Sequence, residues 1–268
     1  MLGEHGKGRS ERLPDNDRPV DYVQSLDRGL AVIRAFTPRH PSMTVTEVAE
    51  RAQMNRAAAR RFLLTLEYLG YVRSDGRKFS LQPRVLELGY AYLSSVHPWD
   101  SASPLMESLS TELEENVLAG VLEGAEVVCV ARTSRRLVTV AVYVGGRVPA
   151  LASSMGRAII AYLPENEAEQ VLERAEVRTR HSREPIDIEA ARQDLADIRR
   201  RGWSVMEGEL EEGLLSISAP VFGPQNRIVA ALNVSAHGNR LSREDADLRI
   251  APQLLDCAKE VSRLFQAR

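Results

Sequence analysis

Residues 44–77 read TVTEVAERAQMNRAAARRFLLTLEYLGYVRSDGR: a short amphipathic segment, a break, a basic amphipathic segment and an Asp-Gly turn. Two helices joined tightly and followed by a hairpin form a winged helix-turn-helix, which lays its second helix in a DNA major groove. Asn55 has the short polar side chain that caps the first turn of such a helix. At about 100° per residue, Ala59, Phe62, Leu66 and Leu69 fall on one inward stripe, while Ala57, Arg60 and Arg61 project from the other side with Arg56 at its edge. Alanine allows a close approach to a groove about 12 Å wide, and arginine can fork onto guanine edges or phosphates. A solvated charged face on an ordinary three-helix domain would explain the arginines taken alone. The flanking segments favour DNA.

Upstream, Leu26, Leu30, Ile33 and Phe36 give a preceding helix one apolar stripe, and Val45, Val48, Ala49 and Ala52 do the same for the first helix of the motif. Downstream of Gly70, two short strand-like runs flank Asp75-Gly76, a dipeptide suited to a two-residue hairpin loop. In that register Val72 pairs with Phe79 on the core side, while Arg73 faces Lys78, an unfavourable pairing of like charges unless an anion binds nearby. With Arg77 also at the tip, a phosphate backbone is the expected anion.

The 268 residues suffice for two domains. Lys and Arg total 35 against 37 Asp and Glu, so overall charge does not announce nucleic acid. Its distribution does: residues 20–96 hold 11 basic and 7 acidic side chains, a surplus of four, and the rest of the chain carries −6. The two cysteines, Cys129 and Cys257, and the five scattered histidines lack metal-ligand spacing, so two reduced thiols, no metal site and no cofactor are expected. The absence of a long apolar run or signal-peptide core points to the cytoplasm, and the polar residues 1–20 read as a tail.

After the head of residues 21–82, residues 83–97 read as a linker helix opened by Pro83, with Val85, Leu88, Tyr92 and Val96 spaced as a dimerisation seam. Residues 98–268 then alternate in type: a helix at 104–115, strands at 117–122, 127–131 and 137–144, a helix after Met155-Gly156, helices at 165–174 and 188–201, strands at 203–207, 214–222 and 228–236, and a helix capped by Ser242. The fold class is α+β, with an antiparallel sheet in a C-terminal sensing domain.

Strand alternation over 214–222 and 228–236 puts Ile217, Leu232 and Val234 on one face and Ser216, Ser218, Asn233 and Ser235 on the other. The small polar face suits solvent or a hydrogen-bonding cavity. The turn Ala152-Ser153-Ser154-Met155-Gly156 opens an apolar helix, where the amides of Ser154 and Met155 and the serine hydroxyls could hold a carboxylate; plain N-capping by serine is the simpler reading. Of the acidic residues 207–212, an inward Glu207 or Glu209 would accept a hydroxyl proton, and a solvated run is the alternative.

The motifs AARRFLLTLEYLGYV, PRVLELGYAYLSS, ASSMGRA, ELEEGLLSISAPV and AALNVSAH, in that order, resemble the IclR family of bacterial transcription regulators. The resemblance runs from about Asp21 to the C-terminus and is greatest to the branch that regulates aromatic-acid catabolism through the β-ketoadipate pathway. It implies a winged-helix domain, a GAF-like effector domain, dimers that can pair into tetramers, and an effector such as protocatechuate, 4-hydroxybenzoate or a pathway intermediate. By the same resemblance, carboxylate contacts fall on Ser154, Met155, Ser216, Asn233 and Ser235. Members that take very small acids have serine in place of Asn233 and cysteine in place of Ser216.

A ligand-responsive regulator is thus expected, with Asn55, Arg56, Ala57, Arg60, Arg61, Arg73, Arg77 and Lys78 on double-stranded DNA and Ser154, Met155, Glu207, Ser216, Asn233 and Ser235 around the effector. A regulator of another small-carboxylate pathway is the nearest alternative. A serine hydrolase using Ser154 lacks both a G-x-S-x-G elbow and a placed histidine base, and an architectural DNA-binding protein would have no effector.

Overall fold

The computed structural model describes residues 19–96, 98–133, 142–174, 187–208, 213–237 and 241–267. The chain divides into two compact units, Met1–Tyr92 and Leu93–Arg268. Most of the expected tail, the core of the expected 137–144 strand and Glu209 lie outside the described residues.

In the first unit, helices α1 (Gln24–Ala35), α2 (Val45–Arg51) and α3 (Arg56–Tyr68) pack beside a three-stranded sheet of β1 (Ser42–Met43), β2 (Val72–Ser74) and β3 (Phe79–Leu81), in the order β1-β3-β2. Thr44 opens α2 with a capping box, its hydroxyl accepting from the Glu47 amide while the Glu47 carboxylate accepts from the Thr44 amide at 2.7 Å. Asn55 opens α3 by accepting from the Ala58 amide at 2.8 Å.

The α3 core stripe is Ala59, Leu63 and Leu66, with Phe62 at its edge; Leu69 is exposed because the helix ends at Tyr68 and the chain turns away at Gly70, whose φ is +79°. In α1 only Val32 and Ala35 are buried. Leu26 and Leu30, expected inside, are exposed because the helix meets the core through its last turns.

The wing also departs from expectation. Val72 pairs with Leu81, Arg73 with Ser80 and Ser74 with Phe79, two residues out of the register anticipated. Gly76 and Arg77 form the loop, Gly76 at φ +94°, and the Asp75 carboxylate accepts from the Arg77 and Lys78 amides at 2.9 and 2.7 Å. A shift of two preserves the faces, so Val72 and Phe79 remain buried. Arg73 meets Ser80 at 3.2 Å, and the like-charge pairing does not form.

Pro83–Val85 forms a 3₁₀ turn leading into α4 (Leu86–Val96). The next helix, α5 (Trp99–Leu113), begins five residues earlier than Pro104 suggested. Trp99 and Ala102 are buried, with Trp99 edge-on to Phe265 at 5.0 Å, and this packing outweighs the proline within the helix.

The strands β4 (Asn116–Glu123), β5 (Glu126–Arg132), β6 (Arg147–Pro149), β7 (Ser204–Glu207), β8 (Leu214–Phe222) and β9 (Ile228–His237) form one antiparallel sheet, ordered β6-β5-β4-β9-β8-β7. Helices α6 (Ser154–Ile160), α7 (Glu165–Arg174) and α8 (Ile188–Arg201) belong to the core on one face. On the other, α5 joins the C-terminal α9 (Arg243–Asp245) and α10 (Ala251–Gln266), linked by a π-helical turn. Ser242 caps this last run, and Leu254, Ala258 and Val261 are buried against the sheet.

Candidate functional site

On the head, Arg56, Ala57, Arg60 and Arg61 are all exposed along one side of α3, and Arg73, Arg77 and Lys78 are exposed on the wing. Asn55 is exposed too, but its side-chain oxygen is engaged in capping. Arg84 was not anticipated. Its Nη1 donates to the Leu69 carbonyl at 2.9 Å and its guanidinium lies over Tyr71, so it braces the end of α3 against the start of the linker.

In the second unit, sheet register places a set of polar side chains in the wall of a cavity beneath α6. One row of cross-strand partners runs Ser204, Ser218, Asn233, Leu118, Arg132; the next runs Met206, Ser216, Ser235, Asn116. Alternate residues Leu215, Ile217, Leu232 and Val234 join the opposite core, which is the division that alternation predicted.

Ser154, Ser218 and Asn233 are almost wholly buried and bond to one another. Asn233 Nδ2 donates to Ser154 Oγ at 3.1 Å, to Ser218 Oγ at 3.0 Å and to the Ile217 carbonyl at 3.0 Å, sharing two protons among three acceptors. The Ser154 and Ser218 hydroxyls are 2.9 Å apart. Ser235 donates to Asn233 Oδ1 at 2.7 Å and lies 2.9 Å from the Ser216 hydroxyl.

Met155 lines the cavity and packs over Gly120, where a Cβ would stand 2.9 Å from the methionine sulfur. Ser153 caps α6 by accepting from the Gly156 amide at 3.1 Å. A Cβ on Gly156 would meet the Ala150 carbonyl oxygen at 2.0 Å, so glycine is needed to seat the helix start. Clear space in the cavity is about 30 Å³. That is room for water rather than a benzene ring, so an aromatic ligand must part the side chains.

Two features differ from the sequence reading. Glu207 is exposed and does not line the cavity: it shares strand parity with Val205, whose side chain belongs to the opposite core. Arg132, absent from the expected set, does line it, with Nη1 donating to the Val142 carbonyl at 3.0 Å. Only the pairing of Leu118 with Arg132 reveals its place, and that follows a register shift at Ala119 and Gly120.

Asp194 on α8 accepts from Arg157 at 2.8 Å and from Arg201 at 3.4 Å, tying α6 to α8. Cys129 and Cys257 are free thiols, and burial pushes each up to about 11. Among the described residues no His, Cys, Asp or Glu cluster could hold a metal, and no helix is long and apolar enough to cross a membrane.

Two family models match this chain: the IclR helix-turn-helix domain over residues 25–76 and the bacterial transcriptional regulator IclR C-terminal domain over residues 90–263. The chain belongs to the IclR family. It is 41% identical over 243 residues to the Pca regulon regulatory protein of Pseudomonas putida, covering 90% of this chain and 84% of that one. It is 31% identical over 253 residues to the p-hydroxybenzoate hydroxylase transcriptional activator of Acinetobacter baylyi, covering 92% and 93%. A solved protein of Rhodococcus sp. RHA1, assigned as a transcriptional regulator, superposes with a TM-score of 0.81 at 41% identity, covering 91% of this chain and 98% of that one. As an IclR-family member the chain is a DNA-binding transcription regulator, and these relatives are regulators rather than enzymes. Ser154 accordingly serves the polar network, with no histidine lining the cavity among the described residues.

Proposed function

We propose that this IclR-family regulator controls aromatic-acid catabolism, in the protocatechuate and 4-hydroxybenzoate part of the β-ketoadipate pathway, and that its effector is a small hydroxylated aromatic carboxylate bound in the cavity beneath α6. The observation that carries this reading is the buried Asn233 network, a set of neutral donors and acceptors suited to a hydroxyl group. The named roles of the two curated relatives support the pathway. Ser154, Met155, Ser216, Asn233 and Ser235 form the effector site, and ligand entry must reorganise a network that now satisfies itself.

In the same reading, Arg56, Ala57, Arg60 and Arg61 enter the major groove while Arg73, Arg77 and Lys78 meet phosphates. The regulator acts in the cytoplasm as a dimer or paired dimers, associating through the linker helix, where Leu86, Leu88, Tyr90 and Tyr92 are exposed. Two heads then require an approximately palindromic operator with half-sites a whole number of helical turns apart. Calorimetry of the full chain with 4-hydroxybenzoate, protocatechuate and benzoate tests the effector assignment: the hydroxylated acids should bind more tightly than benzoate. Absence of binding by all three at millimolar concentration would contradict it.

A further inference from the structure

We propose that Arg132 holds the effector's carboxylate and thereby sets the ligand's orientation, with its hydroxyl end turned toward Asn233. This deepens the effector reading above and rests on it. The sequence suggested the opposite polarity, with the carboxylate at the Ser154 and Met155 amides, but α6 spans only seven residues and begins among uncharged hydroxyl groups. The serine and asparagine groups around Ser154 are neutral and engaged with one another. A carboxylate placed among them would leave water without gaining a countercharge.

Arg132 supplies that countercharge. It is the one charged side chain among the described lining residues, and its sole side-chain hydrogen bond among them goes to the Val142 carbonyl. A guanidinium has five N–H donors, so this bond leaves donors for a carboxylate. A bidentate pair is the strongest way for arginine to receive one.

The row Asn233–Leu118–Arg132 spans two strand intervals, about 10 Å between the end backbones at ordinary sheet spacing. With side chains reaching inward from both ends, Leu118 lies under the ring of a para-hydroxylated benzoate. Met155 and Val142 supply further apolar wall. Reading charge at one end and a hydroxyl at the other would separate an aromatic hydroxy acid from neutral phenols and from unsubstituted benzoate.

Calorimetry of the full chain with 4-hydroxybenzoate and its neutral amide, 4-hydroxybenzamide, tests the assignment. The wild type should prefer the acid by about tenfold or more, and R132M should abolish that preference by weakening acid binding while leaving amide binding in place. R132K should restore part of the preference, which also guards against a folding defect in R132M. N233L should keep the preference for acid over amide while losing that for 4-hydroxybenzoate over benzoate. If the acid binds and R132M retains the wild-type ratio of acid to amide, the Arg132 assignment fails while the effector reading stands. If neither the hydroxylated acids nor benzoate bind the wild type, both fail.

Discussion

Asn233 Nδ2 donates to Ser154 Oγ at 3.1 Å, joining residues 79 positions apart and fastening the start of α6 to the central strand β9. The same amide group donates to Ser218 Oγ at 3.0 Å, so one side chain on β9 holds both β8 and the start of α6. An effector hydroxyl that enters this network exchanges with bonds the protein already makes. In the proposed site, such an exchange would link effector recognition to the position of α6.

Replacing Asn233 with leucine should flatten the preference for 4-hydroxybenzoate and protocatechuate over benzoate. It should also destabilise the fold by roughly 1–3 kcal/mol, because the buried Ser154 and Ser218 hydroxyls lose a donor. Calorimetry and thermal melting read the two effects separately. A fully retained preference would remove Asn233 from effector recognition.

Replacing Arg60 or Arg61 with alanine should weaken operator binding without unfolding the head, since both are exposed. An arginine reading a base should cost roughly 1–3 kcal/mol and relax one operator position, whereas a phosphate contact should reduce the salt slope by about one. Binding titrations at several salt concentrations distinguish these cases. Unchanged affinity and slope in both variants would exclude this face of α3 from recognition.

Much of this head was legible because helical stripes and caps are local. The Asn55 cap and the buried Val48 and Ala49 follow from neighbouring residues. The wing register was not, since the Asp75 carboxylate takes two amides and moves the loop one residue along. In the second unit, period-two alternation sorted β8 and β9 correctly. Arg132 stayed hidden because its place depends on β4 pairing and a register shift, and Glu207 was misassigned because strand parity turns it from the cavity.

Placing a charge on the linker with Leu88→Glu should shift the protein toward monomers, because this exposed apolar position becomes a buried unpaired carboxylate in the proposed helix pairing. Sedimentation velocity measures the shift. An unaltered oligomer would place the association surface elsewhere.

The two thiols predict a loss of stability in alkali. Burial raises both Cys129 and Cys257 from 9.0 to about 11, so their contribution is complete below the unfolded value and is lost as pH rises from about 9 through 11. A double alanine variant should therefore lose less stability than the wild type across that interval in denaturant titrations. An identical decline in both proteins would contradict the assignment.

A hydroxylated aromatic acid in the proposed cavity site is expected to change how the α3 heads engage DNA. The most direct test is footprinting of the full-length wild type on its operator as 4-hydroxybenzoate or protocatechuate is titrated, with benzoate as the control. An effector-dependent change in protection or affinity, in either direction, is expected at concentrations where benzoate has little effect. A footprint identical in the presence and absence of saturating hydroxylated acid, with ligand binding verified in the same sample, would contradict it.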